Sequence, residues 1–384
     1  MKELLTGNFA AAYGCKLSRA QIVSAYPITP HTEVIEKIAE MCAQGEMDAT
    51  FVNVESEHSV MMLLYGAALN GARVFTSTSS QGLLYMHEGL HWVAGARMPI
   101  VMTNIHRAPG TPWNLDSDQR DSLSQRDTGW MHVFCESAQD VLDSVIQGYK
   151  VAEAERLPWM VSCDAFYLSH TYEVLEIPEQ EKVDAYLGEY EAKIDFSPEY
   201  PGNYNGGLLQ NLWKYSQRKQ RSMDKALELV KSTGEEYYEM FGRRLGPLEA
   251  VQTDDADTVI VTSDTITRTV RCLLPTLRKH GFQVGLMKMR LLRPFPVEEV
   301  KAILSNENIK NIIVFDRNIS AGMGGIFCQE IRAAMYGSKH QPRMFNVNVC
   351  DGVDVPPEMI VKAVEYVQQH KGERGEMIWG AELI

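Results

Sequence analysis

Short β-branched or apolar runs alternate with longer runs of helical period along most of this chain, and that alternation leaves few folds open. QIVSAYP (21–27), TFVNVES (50–56), RVFTSTS (73–79), PIVMTNIHR (99–107), HVFCES (132–137) and PWMVSCDAF (158–166) read as strands. Helical stretches separate them; in EHSVMMLLYGAALNG, Val60, Leu63, Leu64, Ala67 and Ala68 recur at helical spacing, and Gly71 sits where a C-terminal cap belongs. Alternating strand and helix predicts a parallel sheet covered on both faces. Ligands of such sheets bind at the carboxyl ends of the strands, here YPITP, VESE, STSSQG and NIHRAPG. The rhythm fails over 171–250, which contains SPEYPGNYNGG and a charged helical stretch near 217–241. It resumes with TVIVTS, FQVGLMKM, NIIVFDR and RMFNVNVC as strands. The expectation is an α/β domain over 1–170, an irregular linker with a charged helix over 171–250, and a smaller α/β domain over 251–384.

A length of 384 residues fits that division, at about 150 residues per domain. Lys plus Arg number 37 against 50 Asp plus Glu, a net charge of -13, which argues against a nucleic-acid partner because phosphate binding needs a basic face. No apolar run reaches the roughly 18 residues that span a bilayer, and the N-terminal segment, broken by Glu3, Gly7 and Asn8, does not read as a signal peptide. The seven cysteines are scattered without a C-x-x-C pair, as for reduced, mostly buried thiols in a cytoplasmic protein. No metal site is expected, and any iron–sulfur clusters would sit on other chains.

Several segments could carry chemistry. His87-Glu88-Gly89-Leu90-His91 is a literal H-E-x-x-H, yet no third zinc ligand follows at a recognisable spacing, so structural histidines are favoured. SAGMGGIF (320–327) lies between a strand and a helix; it is either a phosphate cradle or a tight turn that lets the helix pack. In Tyr26-Pro27-Ile28-Thr29-Pro30 two prolines restrict the backbone and aim a hydroxyl and amides outward. Glu57 opens an apolar helix, where a carboxylate can simply complement the helix dipole. Thr76 to Gln81 supply hydroxyl and amide groups before Gly82, as helix capping or as a polar wall. Arg107 ends a strand, suits the grip of a carboxylate, and leads into the long loop APGTPWNLDSDQRDSLSQRDTGW.

Taken together, YPITP, VESEHS, FTSTSSQGLLYMHE, NIHRAPG and SDQRDSLSQRDTGW resemble the α subunit of the 2-oxoacid:ferredoxin oxidoreductases, over nearly the whole chain. RLLRPFP (290–296) and DRNISAGMGG (316–325) are similar to that family's second domain. The resemblance implies a parallel-sheet thiamine pyrimidine-binding domain followed by a smaller transketolase-C-terminal-like α/β domain. It implies thiamine diphosphate as cofactor, CoA as a substrate and oxidative decarboxylation of a 2-oxo acid. Glu57 matches the glutamate that hydrogen-bonds the aminopyrimidine ring, favouring the tautomer from which the thiazolium C2 proton is removed, and is expected to be buried. Thr29 and Arg107 match substrate-contacting positions, a hydroxyl and a guanidinium for the 2-oxo acid carboxylate; Ile28 and Ser80 match positions beside the cofactor. Asp118, Arg120, Asp121, Arg126 and Asp127 are expected to brace the loop.

The G-D-G…N motif that holds the diphosphate and Mg2+ in thiamine enzymes is missing; residues 350–352 read CDG. The resemblance therefore implies a β subunit that supplies the diphosphate half and Mg2+, with γ and ferredoxin-like δ subunits carrying the Fe–S clusters that pass electrons to ferredoxin. The α chain alone should be inactive. The loop resembles branched-chain and aryl members, which favours a bulky 2-oxo acid such as 2-oxoisovalerate or phenylglyoxylate, with pyruvate as the alternative; Thr29 disfavours oxalate. A non-catalytic scaffold paralogue is the other class of reading.

Overall fold

In the computed structural model, residues 1–110, 114–192, 212–370, 372 and 374–384 are described. The larger sheet has seven strands in the order Leu291–Arg293, Met131–Phe134, Trp159–Asp164, Val101–His106, Val74–Thr78, Ile22–Ala25 and Thr50–Asn53. The six expected strands are all there and mutually parallel. Val74–Thr78, Val101–His106 and Trp159–Asp164 are buried along their whole length, as parallel strands covered by helices on both faces must be. On one face the helices Gly7–Leu17 and Ala138–Glu155 cross closely, because a Cβ on Gly14 would lie only 2.8 Å from Val145 Cβ.

The smaller sheet runs Met377–Trp379, Arg343–Asn348, Asn311–Asp316, Thr258–Thr262, Val284–Met289 and Leu248–Val251. Its first five strands are parallel and the last antiparallel. Among the described residues no helix is long and apolar enough to cross a membrane.

Three features differ from the sequence expectation. The stretch QGLLYMHEGLHWVAGAR (81–97), which reads as one helix between two strands, forms two, Ser80–Tyr85 and His87–Gly95, separated at Met86. Within 171–250, Glu173–Glu176 pairs antiparallel with Lys2–Leu5. The charged helix begins earlier, at Leu212, and runs to Phe241; it buries Ala226, Val230 and Tyr237 in the core of the larger unit. There Tyr237 donates to Asp143 at 2.7 Å, and Gln147 donates to the Val230 carbonyl at 3.1 Å. The segment SPEYPGNYNGG, read as loop, lies outside the described residues, as do residues 111–113 of the loop after Arg107.

The two units are joined by more than a covalent connection. Leu291–Arg293, downstream of the smaller sheet's strand Val284–Met289, crosses to pair antiparallel with Met131–Phe134 at the edge of the larger sheet. Beside it Asp140, at the start of Ala138–Glu155, accepts from Lys288 Nζ at 2.8 Å and Arg290 Nε at 3.3 Å, all three side chains being buried. Burial opposes ionisation of Asp140, but Lys288 and Arg290 outweigh it and hold the carboxyl below the usual range. Asp140→Asn is expected to destabilise the chain by about 3 kcal/mol, because both cations stay buried with weaker partners. A depressed folded pKa makes this contribution available above the unfolded value of about 3.9 and removes it as pH falls through the folded one. In urea unfolding the mutant and the wild type should therefore converge in acid; an equal gap at low pH would contradict the assignment.

Candidate functional site

In the larger sheet the chain runs from Ile22–Ala25 outward to Thr50–Asn53, then returns to Val74–Thr78 on the other flank of Ile22–Ala25. The order reverses there, and the crevice beyond the strands' carboxyl ends is where open parallel sheets bind ligands. Tyr26 to Pro30 follow Ile22–Ala25, Ser79 to Gly82 follow Val74–Thr78, Glu57 follows Thr50–Asn53, and Arg107 follows Val101–His106.

Glu57 is the first residue of the helix Glu57–Leu69, whose N-cap Ser56 accepts from the Ser59 amide at 3.2 Å. The cap is thus made by Ser56, and the Glu57 carboxyl is left over. It is 8% exposed, as expected, and among the described residues nothing donates a hydrogen bond to it. Its neighbour is Gly82: a Cβ there would lie 2.5 Å from Glu57 Oε1 and 2.7 Å from Thr78 Oγ1. Thr78 Oγ1 and Ser79 Oγ are sealed from solvent without a partner among the described residues. Gly82→Ala should push the Glu57 carboxyl out of place and weaken about tenfold the binding of any ligand held by that carboxyl, since a clash inside packed surroundings costs of the order of 1–3 kcal/mol. Calorimetry would check this, and unchanged affinity would rule out the contact.

Arg107 is buried. One terminal nitrogen donates to the Thr29 carbonyl, and the other to Gln81 Oε1 at 2.6 Å. Burial, with Asp121 opposing, lowers its pKa from a value so high that it stays charged. Thr29 is exposed, and among the described residues its hydroxyl has no partner. Ile28 is half-buried, with its amide donating to His31 Nε2 at 3.2 Å. Burial lowers the His31 ring to about 4, so it is neutral and can accept that bond. At these strand ends Arg107 is thus tied to Thr29 and Gln81, and the next residue, Gly82, lies against Glu57.

Ser80, expected beside the cofactor, has partners of its own in the protein. It is fully buried with φ 48°, its hydroxyl donates to the Ala108 carbonyl at 3.1 Å, and its amide donates to Asp121 Oδ2 at 2.8 Å. Its hydrogen-bonding groups serve the scaffold. His31, Gln81 and Gly82 had no assigned part; Gln81 and Gly82 belong to the hydroxyl-rich stretch that the sequence marks out, but only the fold shows what they touch.

The other candidates resolve into structure. In SAGMGGIF the helix Ile326–Met335 opens with all four first amides taken: Gly325 donates to Asn346 at 2.8 Å, Ile326 to Asn318 at 2.8 Å, and Phe327 and Cys328 to Asp316 at 2.9 and 3.2 Å. These helix amides are therefore taken up within the protein, which favours the tight-turn alternative. In His87–Gly95, His87 Nδ1 lies 2.5 Å from Gln125 Oε1, and its ring meets that of His91 edge-on at 4.9 Å. His106, Asp164 and Asp264 bring possible ligand atoms together in the interior, but Arg317 already stands among them, 3.4 Å from Asp164 and 3.9 Å from Asp264.

Residues 13–237 match the family described as pyruvate flavodoxin/ferredoxin oxidoreductase, thiamine diphosphate-binding, and residues 256–360 match pyruvate:ferredoxin oxidoreductase core domain II. The chain is 44% identical over 348 residues to a ketoisovalerate oxidoreductase subunit VorA of Pyrococcus horikoshii, covering 90% of this chain and 88% of that one. It is 42% identical over 326 residues to a pyruvate synthase subunit PorA of Methanocaldococcus jannaschii, covering 83% of each. Among solved structures, 2-oxoglutarate:ferredoxin oxidoreductase from Magnetococcus marinus superposes with a TM-score of 0.75 at 22% identity, over 96% of this chain and 65% of that one; at that identity the likeness concerns the fold. The crevice around Glu57 thus lies within the match to the thiamine-binding part, and the chain belongs to the pyruvate flavodoxin/ferredoxin oxidoreductase family.

Proposed function

We propose that this chain is the α subunit of a complex that oxidatively decarboxylates a 2-oxo acid to its acyl-CoA, with the acid bound in the crevice between Glu57 and Arg107. The observation that carries the reading is the buried Glu57, to which nothing among the described residues donates a hydrogen bond, at the point where the strand order reverses, beside a guanidinium held by Thr29 and Gln81. Thiamine diphosphate, when bound, supplies a nucleophilic carbon and an electron sink for decarboxylation. Glu57 would hold a proton between its carboxyl and the aminopyrimidine ring. Arg107 would take the substrate carboxylate before it leaves as CO2, and the Thr29 hydroxyl and the half-buried Ile28 would orient the acid and ring.

The crevice is open on this chain. Tyr26, Leu84, Tyr85 and Trp92, on the elements around it, are exposed, Tyr85 by 61%. Exposed apolar residues next to half a binding site favour cover by another chain. We assign that place to a β subunit bringing the diphosphate half and Mg2+, and the electron path to Fe–S clusters on γ and δ subunits, in the cytoplasm. The names of the relatives, each a subunit, support an assembly. We also assign the chemistry of this chain to residues 1–170, with 251–384 as the second α/β unit.

For the substrate we favour 2-oxoisovalerate, because relatives named for ketoisovalerate are 44% identical. Pyruvate is the second reading, favoured by pyruvate synthase subunits at 41 and 42%. A pocket that differs by a few methylenes discriminates about 10–200-fold, so kcat/KM for the two acids on the purified complex should separate them; a higher value for pyruvate would select the second reading. Arg107→Lys should raise KM for the 2-oxo acid by about 10–100-fold, since an ammonium cannot reproduce the planar fork held by Thr29 and Gln81. An unchanged KM would remove Arg107 from the substrate site.

A further inference from the structure

The loop after Arg107 contains a short helix, Arg120–Leu123, and its residues connect the two halves of the molecule. Asp121 is fully buried. One of its oxygens, Oδ2, accepts from the amides of both Ser80 and Arg107, at 2.8 and 3.2 Å, and the other accepts from its neighbour Ser122 at 2.6 Å. Ser80 and Arg107 follow the adjacent parallel strands Val74–Thr78 and Val101–His106, so a single carboxylate oxygen fixes the spacing of the two strand ends. It also helps hold Ser80 at φ 48°, a conformation that costs a non-glycine residue free energy unless its surroundings impose it. The residue after Ser80 is Gln81, the acceptor for the Arg107 guanidinium. Asp121 therefore ties down both the backbone of the arginine and the backbone carrying its side-chain partner.

The helix bearing Asp121 is in turn held from the second unit. Gln119, fully buried just before it, donates from its amide to the Arg317 carbonyl at 2.9 Å and from Nε2 to Ser263 Oγ at 2.8 Å. Its Oε1 accepts from Asn318 at 2.8 Å. Ser263, Arg317 and Asn318 all belong to the C-terminal α/β unit. Asp121 and its amide donors are separated by 14 and 41 residues, and Gln119 and its side-chain partners by 144 and 199. Buried hydrogen bonds over such separations rigidify what they join.

We propose that Asp121 and Gln119 are positioning residues for substrate binding, through which the C-terminal unit sets the aim of Arg107 in the crevice. The brace rests on geometry alone, and its consequence for the 2-oxo acid rests on the proposed function. Asp121→Asn preserves volume but turns an NH2 toward an amide donor. Gln119→Leu preserves volume and severs the side-chain links to the second unit while leaving the crevice untouched.

Hydrogen exchange of the assembled complex reads the brace directly. Both variants should accelerate exchange at the amides of Ser80 and Arg107 by about tenfold, the scale of one lost buried hydrogen bond, while amides in the strand Trp159–Asp164 stay protected. In the same preparations KM for the 2-oxo acid should rise about tenfold with kcat within about threefold and thiamine diphosphate affinity unchanged, a split a merely structural lesion would not give. Unchanged exchange at Ser80 and Arg107 would overturn the brace. Accelerated exchange with unchanged KM would overturn its role in aiming Arg107. A wild-type complex that consumes no 2-oxo acid would instead count against the proposed function, and the exchange at these two amides would still decide the brace.

Discussion

Glu57→Gln is expected to lower 2-oxo acid turnover by about 10²–10⁴-fold, the range supplied by a positioned proton-transfer group, while leaving the fold and the assembly intact. Glutamine matches glutamate in shape, so the contact with Gly82 and the Ser56 cap should survive. The amide cannot exchange a proton with an aminopyrimidine. Size-exclusion chromatography would verify assembly, and viologen reduction with CoA and the 2-oxo acid would read the loss. A non-catalytic scaffold would show no activity to lose in the wild type; turnover unaffected by the substitution would remove Glu57 from the mechanism.

The largest expected effect on folding is at Gly325. A Cβ there would sit 2.0 Å from Asp316 Oδ2 and 2.3 Å from its Cγ. Its φ of -66° is ordinary, so glycine is required for close approach and not for backbone freedom. Asp316 cannot step aside cheaply. It is fully buried and accepts from Asn318 at 3.0 Å, from Asn346 at 2.8 Å, and from the Phe327 and Cys328 amides. Burial pushes its carboxyl up to about 7, with those donors opposing. Moving it leaves several buried polar groups unsatisfied at about 1–3 kcal/mol each, so Gly325→Ala should cost about 4 kcal/mol or more. Gly66→Ala is the control: that helical glycine has nothing within 4 Å of a built Cβ, and alanine should be neutral or stabilise slightly. Urea midpoints of the two variants would compare them, and similar midpoints would contradict the packing described.

The same glycine explains what was and was not legible in the sequence. The strand-to-helix turn at SAGMGGIF was visible, but phosphate cradle and tight turn share that signature. The deciding residue, Asp316, lies nine positions before Gly325, and its role as acceptor for the helix amides depends on their meeting in space. The six parallel strands of the larger sheet were readable because buried parallel strands are continuous apolar runs. Leu291–Arg293 was not, since three residues carry no periodicity and their partner belongs to the other unit. Lys2–Leu5, which pairs with Glu173–Glu176, escaped because four residues are too few to show a period. The positions of Glu57, Thr29 and Arg107 after strand ends were legible, and the structure has them there. The partners of Ser80 were not legible, since its hydroxyl bonds Ala108 and its amide Asp121, 28 and 41 residues away.

The most direct test of the central claim is thiamine-dependent and CoA-dependent viologen reduction by this chain copurified with its natural partners, offered 2-oxoisovalerate, pyruvate, phenylglyoxylate, 2-oxoglutarate and oxalate in turn. The account predicts turnover that requires both thiamine diphosphate and CoA, fastest with 2-oxoisovalerate, absent from the isolated chain and lost on Glu57→Gln. A purified complex that binds no thiamine diphosphate and reduces no viologen with any of these acids would contradict it.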